Sequence, residues 1–93
     1  MIRINTDCKV EKISEREDDD YLVVYNDNIL IINNTAGEML RYVATREITN
    51  LSEIITYFSY KYNIPEKNLE SDFQQCIREF IDKKIIICDE EIG

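Results

Sequence analysis

The stretch Leu30-Ile31-Ile32-Asn33-Asn34-Thr35-Ala36-Gly37-Glu38-Met39-Leu40 decides the fold. Up to Ile32 its residues are β-branched or leucine and suit an extended strand. Beyond the asparagine pair the period changes, and Ala36, Met39, Leu40 and Val43 recur three and four apart, the spacing of one helix face. Asn33 stands at the N-cap position, with a side-chain oxygen to accept from a first-turn N–H; Asn34 is the competing cap. The pattern predicts a strand handing directly to a helix, and that corner orients the rest of the chain. Taken alone, it is also the pattern of a purely structural corner.

Working upstream, Tyr21-Leu22-Val23-Val24-Tyr25 is a strand rich in β-branched and aromatic residues. Asn26-Asp27-Asn28 is a turn of residues that tolerate left-handed backbone. Residues 29–32 pair back, so 21–32 form a hairpin. Farther upstream, Ile2, Ile4, Val10 and Ile13 stand among polar neighbours, and residues 8–13 are predicted as a short edge strand. Residues 15–20 hold five acids and one arginine, a block that repels itself and reads as a solvated loop. A calcium loop would need alternating oxygen ligands and a glycine at its sharp turn, and the block has neither.

Working downstream, the first helix runs to about Ala44 and residues 45–49 form a polar connection. Asn50 caps a second helix, with Glu53 completing the pattern of a capping box. Leu51, Ile54, Ile55, Phe58 and Tyr62 lie on one face of it, while Tyr57 and Tyr60 fall off that stripe. Asn63-Ile64-Pro65 breaks the helix, and Pro65 suits the first position of the next. The third helix runs to about Lys83. Leu69, Phe73, Ile77, Phe80 and Ile81 form its apolar arc, flanked by Asp72, Cys76, Glu79 and Lys83. Lys83 and Lys84 sit at the negative end of its dipole. Ile85-Ile86-Ile87-Cys88 is a last strand or wing. The predicted fold is α+β, with strands followed by three helices and a short C-terminal β segment in one domain, and its outline is winged helix-turn-helix-like.

Composition narrows the function. Ninety-three residues at 44% hydrophobic, with two glycines and one proline, describe one ordered domain with a modest core. A net charge of −8 repels phosphate backbones and anionic lipid surfaces and favours basic or neutral partners. Three widely spaced cysteines, Cys8, Cys76 and Cys88, make neither a zinc knuckle nor a redox pair. Their odd count and the lack of a signal peptide predict the cytoplasm. The apolar runs around Leu30 and Ile85 are too short to span a bilayer. The triplets Asn33-Asn34-Thr35 and Asn50-Leu51-Ser52 match a glycosylation acceptor by chance.

The winged-helix outline raises a DNA-binding transcriptional regulator as the alternative function. The third helix argues against it. Glu66, Glu70, Asp72, Glu79 and Asp82 stand there against Lys67, Arg78, Lys83 and Lys84, where a recognition helix offers cations to base edges over a positive field. Catalysis is poorly supplied as well. There is no histidine, no glycine-rich phosphate loop and no spaced pair of carboxylates in an apolar setting, and Cys76 reads as a small core residue. No enzyme, no cofactor and no metal site is expected.

The stretch 32–40, Ile-Asn-Asn-Thr-Ala-Gly-Glu-Met-Leu, resembles the Leu-Asn-x-Thr-Ala-x-x-Ile-Leu signature of the PqqD-like family, the recognition elements of ribosomally made, modified peptides. The likeness continues through Leu51-Ser52-Glu53-Ile54-Ile55, and again from Leu69-Glu70-Ser71-Asp72-Phe73 to Ile85-Ile86, covering about residues 21–87. Two departures stand out. Thr45-Arg46-Glu47 replaces the Asp-Gly common after the first helix, and Lys84 replaces the usual glycine before the final strand.

The resemblance implies a three-stranded antiparallel sheet packed on three helices, and a non-catalytic domain that binds the leader segment of a precursor peptide. It would present that leader to a modifying enzyme, such as a radical SAM protein or a leader protease, with lasso-peptide pathways among the settings. It implies that the leader adds a strand along Ile29, Leu30, Ile31 and Ile32 and lies beside the flank Asp72, Cys76, Glu79 and Lys83. Physical chemistry points the same way, since an open hairpin edge is a template for strand addition. Backbone bonds at about 1 kcal/mol each fall short of the roughly 8 kcal/mol of micromolar affinity, so pockets beside Phe73, Cys76 and Phe80 must supply the rest. Of these residues, Phe73, Ile77 and Phe80 are expected mainly in the core.

Overall fold

A computed structural model describes residues 1–14 and 20–89. The order is β1 (Ile2–Ile4), β2 (Lys9–Lys12), β3 (Tyr21–Tyr25), β4 (Asn28–Ile32), α1 (Asn34–Arg46), α2 (Leu51–Tyr62), α3 (Glu66–Asp82) and β5 (Ile86–Cys88). The predicted antiparallel sheet is present with strand order β2-β3-β4, followed by the three helices and the short terminal strand. The acidic block at 15–20 lies outside the described residues, except for the exposed Asp20.

The corner at Asn33 is built as its residues dictate. The Ala36 N–H donates to the Asn33 side-chain oxygen at 2.8 Å, which makes Asn33 the cap and puts Asn34 inside the helix. Asn50 caps α2 in the same way, accepting from the Glu53 N–H at 2.9 Å, while the Glu53 carboxylate takes the Thr49 hydroxyl at 2.8 Å. Asn26 and Asp27 both have positive φ, 46° and 63°, which makes a two-residue type I′ turn between Tyr25 and Asn28.

Several boundaries move. Helix α1 extends past Ala44 to Arg46, and the connection after it is shorter than predicted. Pro65 sits at the N-cap of α3 rather than inside it, because its ψ of 140° is extended. Lys84 and Glu47 both hold positive φ, 63° and 66°. At Lys84 the Ile85 N–H returns to the Phe80 carbonyl and the Lys84 N–H to the Ile81 carbonyl, the closing bonds of a Schellman motif. Asn5 braces that turn, its side-chain amide donating to the Lys84 carbonyl at 2.9 Å.

The N-terminal segment departs most from the sequence reading. Ile2–Ile4 is a strand of its own, paired antiparallel with β5 as a second, two-stranded sheet with Ile2 opposite Cys88 and Ile4 opposite Ile86. Ile2 also exchanges both backbone bonds with Thr49, at 2.7 and 2.9 Å. Both partners are distant in sequence, so no local pattern announces the pairing. Ile2 is fully buried with Ile85 and Ile86 in a core that also takes Val23, Met39, Leu40, Val43, Ile54, Phe58 and Ile77.

Gly37 has a packing role. A Cβ placed there would lie 2.6 Å from the Tyr21 Cβ and 2.1 Å from its ring, so the absence of a side chain lets β3 lie directly on α1.

Candidate functional site

The free edge of β4 and the flank of α3 face one another across an open groove. Leu30, Ile31 and Ile32 line one wall, and Asp72, Cys76, Glu79 and Lys83 the other, enclosing about 450 Å³. Seven of the eight predicted site residues therefore come together. Ile29 is the one that does not line the groove; it stands 69% exposed on the outer face of the hairpin.

The helical period explains the α3 wall, since residues 72, 76, 79 and 83 are four, three and four apart and project along one stripe. Phe73, Ile77 and Phe80 are buried beneath that stripe, as core residues. Phe80 nevertheless forms part of the groove surface, and Phe73 borders an adjoining hollow of about 290 Å³. The sequence reading missed Asn33, Ala36 and Gln75 as lining residues. In the sequence Asn33 and Ala36 stand only as cap and helix-face residues. Their second role follows from α1 starting where β4 ends, which puts the first turn of α1 at the end of the groove.

The type I′ turn sets the direction of every backbone group along β4. Tyr25 and Asn28 close the turn, so Asn28 turns its N–H and C=O inward to β3. Alternation then carries Leu30 and Ile32 inward, opposite Val23 and Tyr21. Ile29 and Ile31 turn theirs outward, toward the open edge. The side chains follow the pleat: Leu30 and Ile32 are half-buried on the core cluster, whereas Ile31 is 62% exposed.

The groove's chemistry is that of a binding surface. The Cys76 thiol is pushed up to about 11 by burial and by the nearby Glu79 carboxylate, so at neutral pH it stays protonated as part of an apolar wall. Cys8, Cys76 and Cys88 are all free thiols. Asp72, Glu79 and Lys83 stand exposed at the rim, with both signs available to an incoming chain.

Among the described residues no helix is long and apolar enough to cross a membrane. Compared with family models, curated proteins and solved structures, the chain matches none.

Proposed function

We propose that this domain binds the leader segment of a ribosomally made precursor peptide by adding it as a strand to β4, and presents it to a modifying enzyme without catalysis of its own. The observation that carries the reading is the open edge of β4 running along a groove walled by α3. Ile29 and Ile31 offer outward N–H and C=O groups, and the groove offers the side-chain seats that backbone bonds alone would lack. At about 1 kcal/mol per bond, those two residues supply only part of the roughly 8 kcal/mol of a micromolar complex. Contacts with Cys76, Phe80 and Ala36 would contribute the remainder. The family resemblance of residues 32–40 supports the same role.

DNA recognition is the weaker reading, because α3 exposes Glu66, Glu70, Asp72, Glu79 and Asp82 to solvent. A mobility-shift assay is expected to show no sequence-dependent binding at physiological salt.

The direct test titrates synthetic leader peptides, taken from any short precursor-like reading frames found near the domain's gene, into isotope-labelled protein. Amide shifts are expected at Ile29, Ile31, Asp72, Cys76 and Lys83, with the mass of the precursor unchanged after incubation. Shifts confined to other surfaces, no binding, or a mass change produced by the domain alone would overturn the proposal.

A further inference from the structure

A second cleft opens between α1 and α2, encloses about 290 Å³ and, among the described residues, shares no lining residue with the groove. Its floor is aromatic. The Tyr42 and Tyr57 rings lie 4.5 Å apart, and both meet Phe58 edge-on, at 5.8 and 4.9 Å. Its rim is cationic. The Arg46 guanidinium stands 4.9 Å over the Tyr42 ring, and that of Arg41 stands 5.9 Å over Tyr21. Lys12 approaches the same Tyr21 ring at 5.7 Å.

Among the described residues one acid lines the cleft, and its charge is already matched. Glu38 accepts from the Lys61 ammonium at 3.0 Å and from the Tyr62 hydroxyl. Burial pushes the Glu38 carboxyl up, but these two bonds outweigh it and hold it below the ordinary value; the Glu38 bond in turn raises Lys61. The pair therefore stays ionised at neutral pH and leaves Arg41 and Arg46 as surplus positive charge. Neither guanidinium has an ion pair among the described residues. The described residues that line the cleft thus carry three cations against one carboxylate, in a chain of net charge −8.

We propose that this cleft binds a carboxylate side chain of a partner protein, presented next to an aromatic or aliphatic residue. A guanidinium fork matches a carboxylate in plane and with two bonds, which an ammonium does not. The tyrosine floor seats the neighbouring apolar group and lowers the local dielectric under the ion pair. The field of the whole chain selects among anions by charge: a single carboxylate meets less repulsion than a phosphoryl group near −2, and far less than a polynucleotide. The cleft and the groove lie on different sides of α1, so a ligand in one leaves the other open. The assignment does not depend on what occupies the groove.

The probe is the blocked peptide acetyl-Glu-Phe-Glu-amide, with acetyl-Gln-Phe-Gln-amide as its uncharged twin, each titrated into isotope-labelled full chain. The acidic peptide is expected to bind about tenfold tighter, a preference that shrinks as salt is raised. Amide shifts are expected at Arg41, Tyr42, Arg46 and Tyr57. In the double variant Arg41→Gln, Arg46→Gln the preference is expected to vanish while the circular dichroism spectrum is unchanged, both side chains being exposed. Equal binding of the two peptides, shifts centred on Asp72 and Cys76, or displacement of the peptide by lower concentrations of inorganic phosphate than of acetate would each overturn the assignment.

Discussion

The two edges of the three-stranded sheet offer different things to an incoming strand. On β2 the exposed outer-face residues are Lys9 and Glu11, so a docking chain would meet a charge at alternate positions. Charged side chains on an edge are a common defence against unwanted pairing. On β4 the corresponding residues are Ile29 and Ile31, 69% and 62% exposed, and a groove runs along the strand. Both edges hang on β3, and among the described residues both carry unpaired backbone. What separates them is the side-chain surface beside that backbone, which teaches that an open ladder invites a partner only where its flanks are apolar.

The largest expected effect comes from proline along β4. Leu30→Pro and Ile32→Pro each remove an inward N–H from the hairpin ladder and are expected to destabilise the fold by about 3 kcal/mol or more. Ile29→Pro and Ile31→Pro remove outward N–H groups instead. They are expected to leave the melting temperature nearly unchanged and to abolish leader binding. Thermal melts with calorimetry on the four variants check this. Loss of both properties at every position, or survival of binding at the stable ones, would show that β4 is not the docking edge.

Gly37→Ala tests the scaffold that both edges share. Alanine favours a helix over glycine by about 1 kcal/mol, but here its Cβ would collide with Tyr21 close to the β3 backbone. Overpacking of this kind costs about 1–3 kcal/mol, so the net change is expected to be destabilising. A denaturant melt showing a more stable variant would mean that β3 shifts freely over α1. Leader affinity at low temperature, where the variant is folded, is expected to change less than stability does.

Charge reversal at the groove rim is expected to act on affinity alone. Asp72→Lys and Lys83→Glu should each weaken leader binding by about 0.5–2 kcal/mol, the range of partly desolvated polar contacts, with circular dichroism unchanged. Unaltered affinity in both would move the peptide away from α3.

The smallest effect is expected on the other edge. Lys9→Ala and Glu11→Ala should shift stability by less than about 0.5 kcal/mol and leave leader affinity untouched. A loss of affinity there would erase the distinction between the two edges. Self-association of the double variant, read by sedimentation, would sharpen it by showing that these charges block strand addition.

How much of this was legible in the sequence depends on the distance over which each feature is decided. Asn33 and Asn50 cap their helices because the cap oxygen bonds an N–H three residues ahead, and Asn26-Asp27 turns because both tolerate positive φ. The α3 arc and its flank follow from a period of 3.6 residues. These are local rules, and residues a few positions apart suffice to apply them. The family resemblance contributed the expectation that β4 and α3 work together, which no local pattern carries.

What only the tertiary structure decided are contacts between residues far apart in the chain. The β1–β5 pair joins its two ends, and three residues of Ile2–Ile4 are too few to declare themselves a strand without their partner. Gly37 matters because Tyr21 crosses it, and the sequence holds no mark of that approach. The direction of the β4 backbone groups needed the turn type and the register together, since a shift of one residue reverses every assignment. Arg41, Arg46 and Tyr57 form a cleft because α1 and α2 pack at one register out of many. Sequence alone determined the elements and their apolar faces, because those rest on short-range bonds and periodicity. The surfaces that can bind anything arise only when faces from separate elements are brought together by burying the core.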